Sequence, residues 1–269
     1  MKLKLVSLNI WQGHALDAVC EFLAREKPDI ITLQEVYNGT GPALSLQYRS
    51  LEELIKRLGL PYNDYEPALI DNRKEGKIPE GNATLSRFPI VAREAIFFNE
   101  PFRDDYIDDI TQNPSMPHIL LHSVLETPEG EVNIYNLHGT WDLNGENFSE
   151  KRRQMSEAII AATSGKSCVI VAGDTNAKPI NQAMRNVEKH LISVFGDELA
   201  TTFNMSRKDN PGYATAAVDM VFVSHDVQVV SKECPGIDVS DHLPLVVTLE
   251  VSKTHQTETA EALQPASAL

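Results

Sequence analysis

A single α/β domain with many antiparallel strands is the fold class this sequence predicts, and three observations carry it. An amphipathic helical stretch lies between two strand-like runs near the N-terminus, which permits a parallel crossover. Beyond residue 61 the chain changes to strands and turns, with a hairpin signal at "PEG". The 269 residues show no internal linker and no short-period repeat, and that length suits one large domain.

Taken in order, "KLKLVSLNI" (2–10) alternates polar and apolar residues as a half-buried strand does. "ALDAVCEFLARE" (15–26) puts Leu16, Val19, Cys20, Phe22 and Leu23 on one helical face, with Pro28 just past its end. "DIITLQEV" (29–36) is a second strand. "SLEELIKRLGL" (50–60) reads as a helix, with Ser50 as N-cap, Glu53 completing a capping box and Gly59 at the stop. "GNATLSRFPIVAREAIFF" (81–98) reads as two strands broken at Phe88-Pro89. Residues 99–117 are acidic and turn-rich and read as one long loop, with Asp104, Asp105, Asp108 and Asp109 solvated. "HILLHSVLET" and "EVNIYNLHG" form the hairpin around "PEG".

"SEKRRQMSEAIIAAT" (149–163) is a helix capped by Ser149, with Lys151, Arg152 and Arg153 at its solvated start. The apolar run Cys168–Ala172 reads as a strand buried on both faces, and it ends in Gly173, Asp174, Thr175 and Asn176. A mixed segment (178–216) precedes the strands "VDMVFVS" (218–224) and "LPLVVTLEV" (243–251). One folded domain is expected over 1–252, with 253–269 a polar, small-residue tail expected to be disordered.

Composition excludes several classes. The net charge of −14 repels polyanions and anionic membranes as a whole field, although a local basic cleft is compatible with it. No run approaches the ~18 apolar residues of a membrane span. Cys20, Cys168 and Cys234 are sparse and odd in number, which argues against a disulfide framework or a thiolate zinc site. The expected setting is a reducing, cytoplasmic one.

The ends of the strands carry a pattern that propensity does not explain. Asn9, Glu35 and His138 close their strands, as Asp174 with Asn176 closes another. Asp219 instead opens its strand, and Asp241 with His242 immediately precedes the last one. In a sheet with antiparallel strands the ends of some and the starts of others share one edge, so all these groups can lie on one rim, where sites on rigid scaffolds sit. Singly each is ordinary: a strand-end Asp forms turns or caps helices, and a lone His is usually a satisfied structural residue. Together they offer hard oxygen ligands suited to Mg²⁺ or Mn²⁺, an aspartate able to deprotonate water, and histidines able to donate to a phosphoryl oxygen.

The pieces "SLNIW", "LQEV", "GNATLSRFPI", "NLHGT", "GDTNAKP", "VDMVFVS" and "SDHLPL", in this order, resemble the endonuclease/exonuclease/phosphatase (DNase I-like) superfamily from Lys2 to Val251. That superfamily includes pancreatic-type deoxyribonucleases, exonuclease III-type AP endonucleases, neutral sphingomyelinases and inositol polyphosphate 5-phosphatases. The resemblance implies a four-layer α/β sandwich, two mixed and mostly antiparallel sheets packed face to face with helices outside. It also implies roles: Glu35 as main ligand of a divalent metal, Asn9 beside it on metal or phosphate, and Asp241 in the metal site. Asp174 would orient and deprotonate the attacking water, with Asn176 helping to hold water or phosphate. His242, oriented by Asp219, would donate to the phosphoryl oxygens, and His138 would stabilise the phosphate from the other side.

AP endonucleases carry an acidic residue two positions after the Asn, where this chain has Trp11, so AP-site chemistry loses support. Asn82 and Arg87 are candidates for a substrate phosphate, against a turn and a sheet-surface position. Trp141 and Phe148 could stack on a leaving group, although packing is the better reading. The expected function is metal-dependent hydrolysis of a phosphoester, with the charge leaning to a small or terminal substrate. A DNA or RNA nuclease is the alternative and predicts a local basic groove. An inert binding module would be expected to lack Glu35, Asp174 or His242, and none is lacking.

Overall fold

The computed structural model describes residues 1–107, 115–142, 146–208 and 216–252. Asp108 and Asp109 of the acidic loop, residues 209–215 of the mixed segment and the 253–269 tail lie outside the described residues.

The strands in chain order are β1 (Lys2–Asn9), β2 (Ile30–Tyr37), β3 (Tyr62–Arg73), β4 (Gly76–Ser86), β5 (Ile90–Phe97), β6 (Arg103–Tyr106) and β7 (Ile119–Thr127). They continue with β8 (Gly130–His138), β9 (Val169–Asp174), β10 (Ile192–Ser193), β11 (Asp219–Val223), β12 (Gln228–Glu233) and β13 (Leu245–Glu250). The helices are α1 (Leu16–Glu26), α2 (Ser50–Leu58), α3 (Glu150–Thr163) and α4 (Gln182–Val187). One sheet has 7 strands in the order β12-β13-β1-β2-β4-β3-β6, and the other has 6 in the order β10-β11-β9-β8-β7-β5. Pairings β1–β2, β3–β6 and β8–β9 are parallel and the rest antiparallel.

Strand alternation explains the layers. On β1, Leu3 and Leu5 join the core between the sheets, while Val6 and Leu8 pack outward under α1 and α2. On β9, Ile170 and Ala172 face the other sheet, while Val169 and Val171 pack under α3 and α4. The helices cover the two outer faces and the sheets face each other, the predicted four-layer sandwich.

The inner layer changes character along the strands. At one end it is aliphatic, with Leu3, Leu5, Ile30, Ile134 and Ile170 all in one cluster. Further along the same faces come buried amides, which bond from sheet to sheet. Gln34 Nε2 donates to Asn136 Oδ1 at 2.7 Å, and Asn136 Nδ2 donates to the carbonyls of Leu33 (3.0 Å) and Ala83 (2.9 Å). Asn82 Nδ2 donates to the Asn136 carbonyl at 3.0 Å. The buried hydroxyls of Ser7, Thr32 and Thr84 have no partner among the described residues, so amides carry this seam. The candidate site lies just beyond it.

Several elements differ from expectation. The long hairpin of β3 and β4 pairs from Tyr62↔Ser86 to Arg73↔Gly76, with a register shift between Pro67 and Leu69. The segment read as a loop contains β6, an edge strand held parallel to β3. The mixed segment contains α4, and β12 adds an edge strand that its exposed, polar residues conceal. Ser149 caps α3 as expected, and Gly59 closes α2 in the left-handed region. Ser50 forms no capping box. Its hydroxyl accepts from Tyr37 N–H at 2.9 Å and donates to the Tyr37 carbonyl at 3.0 Å, so it clamps α2 to the end of β2. Glu53 instead pairs with Arg57 at 3.2 Å. No helix among the described residues is long and apolar enough to cross a membrane.

The seam has a measurable consequence. Asn136→Ala removes the acceptor of Gln34 Nε2 and the donor to two carbonyls. It is expected to cost roughly 2–4 kcal/mol, since each stranded buried polar group costs about 1–3 kcal/mol. A urea denaturation midpoint that stays at the wild-type value would exclude a structural role for the seam.

Candidate active site

The rim residues are presented by unusual backbone. Trp11, Gln12, Glu35 and Asn176 have φ values of 50°, 51°, 57° and 50°, left-handed conformations that non-glycine residues adopt at a cost of about 1–3 kcal/mol each. Glu35 does not close its strand as expected, because β2 runs on to Tyr37; the β2–β4 register slips between Leu33 and Val36, and this bulge turns the carboxylate onto the rim. The parallel pair His138↔Asp174 and the antiparallel pair Asp219↔Asp174 put three strand ends side by side. Gly173, at φ 153°, permits this: a Cβ there would stand 1.9 Å from the Leu137 carbonyl oxygen. The room it leaves is taken by the neighbouring strand.

Asn9 joins the two sheets at the site. Its Oδ1 accepts from Trp11 N–H at 3.0 Å, which leaves Nδ2 to donate to Glu35 Oε1 at 2.9 Å and Asp174 Oδ2 at 3.1 Å. Asp174 Oδ1 accepts from Asn176 N–H at 2.8 Å, so both its oxygens are fixed. The Asn176 side chain donates to the Gly139 carbonyl at 2.9 Å, and its own carbonyl accepts from Arg152 Nη2 at 2.6 Å.

His242 Nδ1 lies 2.8 Å from Asp219 Oδ2, and Nε2 lies 3.8 Å from Asp174 Oδ2. Burial alone would push the imidazole pKa down, but the Asp219 and Asp174 carboxylates outweigh it and push the value up to about 10. The ring is therefore an imidazolium at neutral pH. Donor atoms of Asp174, Asp219 and His242 lie within 4.8 Å of one another, a spacing a metal could bridge. On the other side, His138 Nε2 is 4.0 Å from Glu35 Oε1. Burial pushes the Glu35 carboxyl up and the Asp241 charge adds to this, while His138 offsets part of it. His118 stands edge-on to His138 at 5.1 Å, and its burial holds its pKa well below the usual range.

The cleft has a volume of about 290 Å³, near the lower limit for ligand sites. Glu35, His138, Asp174, Asn176, Asp241 and His242 line it, with Asn9 and Asp219 buried behind. Two candidates are not brought there. Arg87 pairs with Asp29 at 3.0 Å, beyond the opposite end of β2, and lies over the Phe88 ring. Asn82 is fully buried in mid-strand, where it belongs to the amide seam beneath the site rather than to a turn or to substrate. Asn9 directs its Nδ2 at the Glu35 and Asp174 carboxylates and turns its Oδ1 to the Trp11 N–H. Arg152 is 0% exposed, not solvated, and holds the carbonyls of Asn147 and Asn176. Trp141 lines the cleft, whereas Phe148 is exposed.

Sequence reading missed Glu80, His118 and Lys208, which also line the cleft. Glu80 sits two residues before Asn82 on the same strand face, and His118 immediately precedes β7, so alternation and the shared-edge rule could have found both. Lys208 lies in a turn with no periodicity and left no signal.

A model of the Endonuclease/Exonuclease/phosphatase family matches residues 6–242. No curated protein matches the chain. Among solved structures, an endonuclease/exonuclease/phosphatase from Beutenbergia cavernae superposes with a TM-score of 0.70 at 20% identity, over 93% of this chain and 72% of that one. The human Nocturnin catalytic domain with bound sulfate gives 0.68 at 19% identity, over 93% and 94%. A mannosyl-6-phosphatase from Bacteroides thetaiotaomicron gives 0.65 at 18% identity, over 92% and 99%. At these identities the likeness concerns the fold.

The raised pKa of His242 sets a pH dependence. Its charge stabilises the folded state fully below the unfolded value of about 6.5, and that contribution is lost as pH rises through about 10. Asp219→Asn is expected to make the ring titrate at least about one pH unit lower. It should also reduce stability most at and below neutral pH, with the gap from wild type narrowing as pH approaches 10. NMR titration of the imidazole, with denaturation at several pH values, checks both; an unmoved titration contradicts the ion pair.

Proposed function

The chain belongs to the endonuclease/exonuclease/phosphatase family, whose members are hydrolases of phosphoesters, and we propose that it is a divalent-metal-dependent phosphoesterase. The proposed catalytic domain is residues 1–252. The observation that carries this reading is the placement of His242, with Nδ1 2.8 Å from Asp219 and Nε2 3.8 Å from Asp174. An acid and a base thus face one small cleft from adjoining strand ends.

In this reading Asp174 orients a water and takes its proton as the water oxygen attacks phosphorus. The Asn176 N–H and the Asn9 amide hold the two oxygens of Asp174 in place for that transfer. The ester P–O bond in line with the attack breaks, and the departing oxygen keeps the bonding electrons and is then protonated. His242 donates to the non-bridging oxygens, where charge grows in the transition state, and Asp219 keeps it protonated. His138 reaches the phosphoryl group from the Glu35 side.

Glu35 and Asp241 would hold Mg²⁺ or Mn²⁺. Their fit is chemical: both are hard oxygen donors, and the like charge of Asp241 beside the partly buried Glu35 favours a nearby cation. Bound there, such an ion supplies Lewis-acid polarisation of the phosphoryl group and neutralisation of the leaving oxygen.

The net charge and the small cleft support a small or terminal phosphoester. Among the described residues lining the cleft, Lys208 is the one lysine or arginine, which is not the basic groove a nuclease of long substrates needs.

Hydrolysis of an aryl phosphate ester is expected to need Mg²⁺ or Mn²⁺ and to stop with chelator. Asp174→Ala should lower kcat about 10²–10⁴-fold and His242→Ala about 10²–10³-fold. Unchanged turnover in Asp174→Ala would refute the mechanism. Steep loss of nucleic-acid binding with added salt would favour the nuclease alternative.

A further inference from the structure

Lys208 stands in the cleft on a short turn that is itself built onto the site. Asn204 anchors the turn: its N–H donates to the Asp241 carbonyl at 2.8 Å, and its Nδ2 to the Ser240 carbonyl at 2.9 Å and to Asp238 Oδ1 at 2.7 Å. Asn204 Oδ1 accepts from Ser206 N–H at 3.1 Å and from its hydroxyl at 2.7 Å. The Asn204 carbonyl accepts from the N–H groups of Arg207 (2.9 Å) and Lys208 (3.1 Å). Arg207 adds an ion pair to Asp238 on the outer side. Backbone that would otherwise be an irregular loop is thereby fixed to the segment carrying Asp241 and His242.

From this turn the Lys208 side chain reaches inward. Its Nζ lies 2.5 Å from Asp241 Oδ2 and 5.0 Å from the centre of the Phe203 ring. Phe203 in turn packs edge-on against His242 at 4.7 Å between ring centres. The ammonium therefore stands on the same wall as the His242 imidazolium, and its side chain is one-third exposed, with 33% of its surface accessible.

The charge of the substrate gives this placement meaning. A phosphodiester carries one negative charge, whereas a terminal phosphate carries close to two near neutral pH and offers one more anionic oxygen. We propose that Lys208 is a substrate-binding residue that takes this extra oxygen, so that the site prefers a terminal phosphomonoester to a phosphodiester. The inference rests on the phosphoesterase reading above and narrows its substrate class. A flexible lysine can leave Asp241 for the phosphate without moving the turn, because Asn204 rather than the ion pair holds the backbone.

The test compares two anions that undergo no reaction. Inorganic phosphate, a dianion at about pH 8, and dimethyl phosphate, a monoanion, are titrated calorimetrically into wild type, Lys208→Met and Lys208→Arg, with Mg²⁺ and with chelator. Wild type is expected to prefer phosphate. Lys208→Met should lose about tenfold in phosphate affinity, the worth of one charge-assisted hydrogen bond, and bind dimethyl phosphate as before. Lys208→Arg, which keeps the charge and the turn, should retain most of the preference.

In turnover, Lys208→Met should lower kcat/KM for p-nitrophenyl phosphate about tenfold more than for bis(p-nitrophenyl) phosphate. Equal losses on both anions, no loss on either, or a wild type that binds neither would overturn the proposal. A Lys208-dependent phosphate preference in a protein that hydrolyses neither ester would support the binding site and remove the phosphoesterase reading instead.

Discussion

The separation of the two sheets is the constraint on which the candidate site depends. Asn9 and Glu35 stand on one sheet, His138 and Asp174 on the other, so their distances are set by how the sheets approach. Aliphatic packing between Leu3, Leu5, Ile134 and Ile170 is strong but non-directional, and it tolerates sliding. The bonds among Gln34, Asn136, Asn82 and the Leu33 and Ala83 carbonyls are directional, and they lie immediately beneath the rim. An amide seam placed there converts a greasy interface into one with a fixed register. That register sets how Asn9 and Glu35 meet His138 and Asp174, and the proposed in-line attack would depend on it.

Above the seam, charge is arranged in pairs. Asn9 bonds a carboxylate on each sheet and so holds Glu35 and Asp174 in one frame without adding charge. Asp219 sits behind His242 and sustains its proton, while Lys208 meets Asp241 from the Phe203 turn. Left-handed backbone at Trp11, Gln12, Glu35 and Asn176 is the strain that this crowding entails, and it gathers at the rim because regular strands cannot aim successive side chains at one point.

The legibility of the fold varied with how strongly each element was patterned. Strands buried on both faces, such as β9 and β11, stood out as apolar runs, and α1 and α3 stood out by their helical stripe and cap. Edge strands β6 and β12 did not, because solvent on one side allows polar residues that resemble a loop. Ser50 had the right neighbours for a capping box, but a closer partner, the backbone of Tyr37, took its hydroxyl. Arg152 illustrates the same limit: a run of basic residues at a helix start reads as solvated, and only tertiary contact reveals it buried against the Asn176 loop.

The sequence by itself placed Asn9, His138 and Asp174 at strand ends and Asp219 at a strand start, whereas Glu35 reaches the rim from a bulge inside β2. Since antiparallel connection brings such ends to one edge, the grouping of Asn9, His138, Asp174, Asp219 and His242 was legible, while Glu80, His118 and Lys208 were not. Arg87 and Asn82 fell outside because a position within a strand does not state which end or depth it reaches. Tertiary structure alone decided the orientation of the Asn9 amide, the ion pair that keeps His242 charged, and the presence of Lys208 at Asp241. Those depend on distances between segments far apart in the chain. Hydrogen bonds and charges act over a few ångströms of space, whatever the spacing along the sequence.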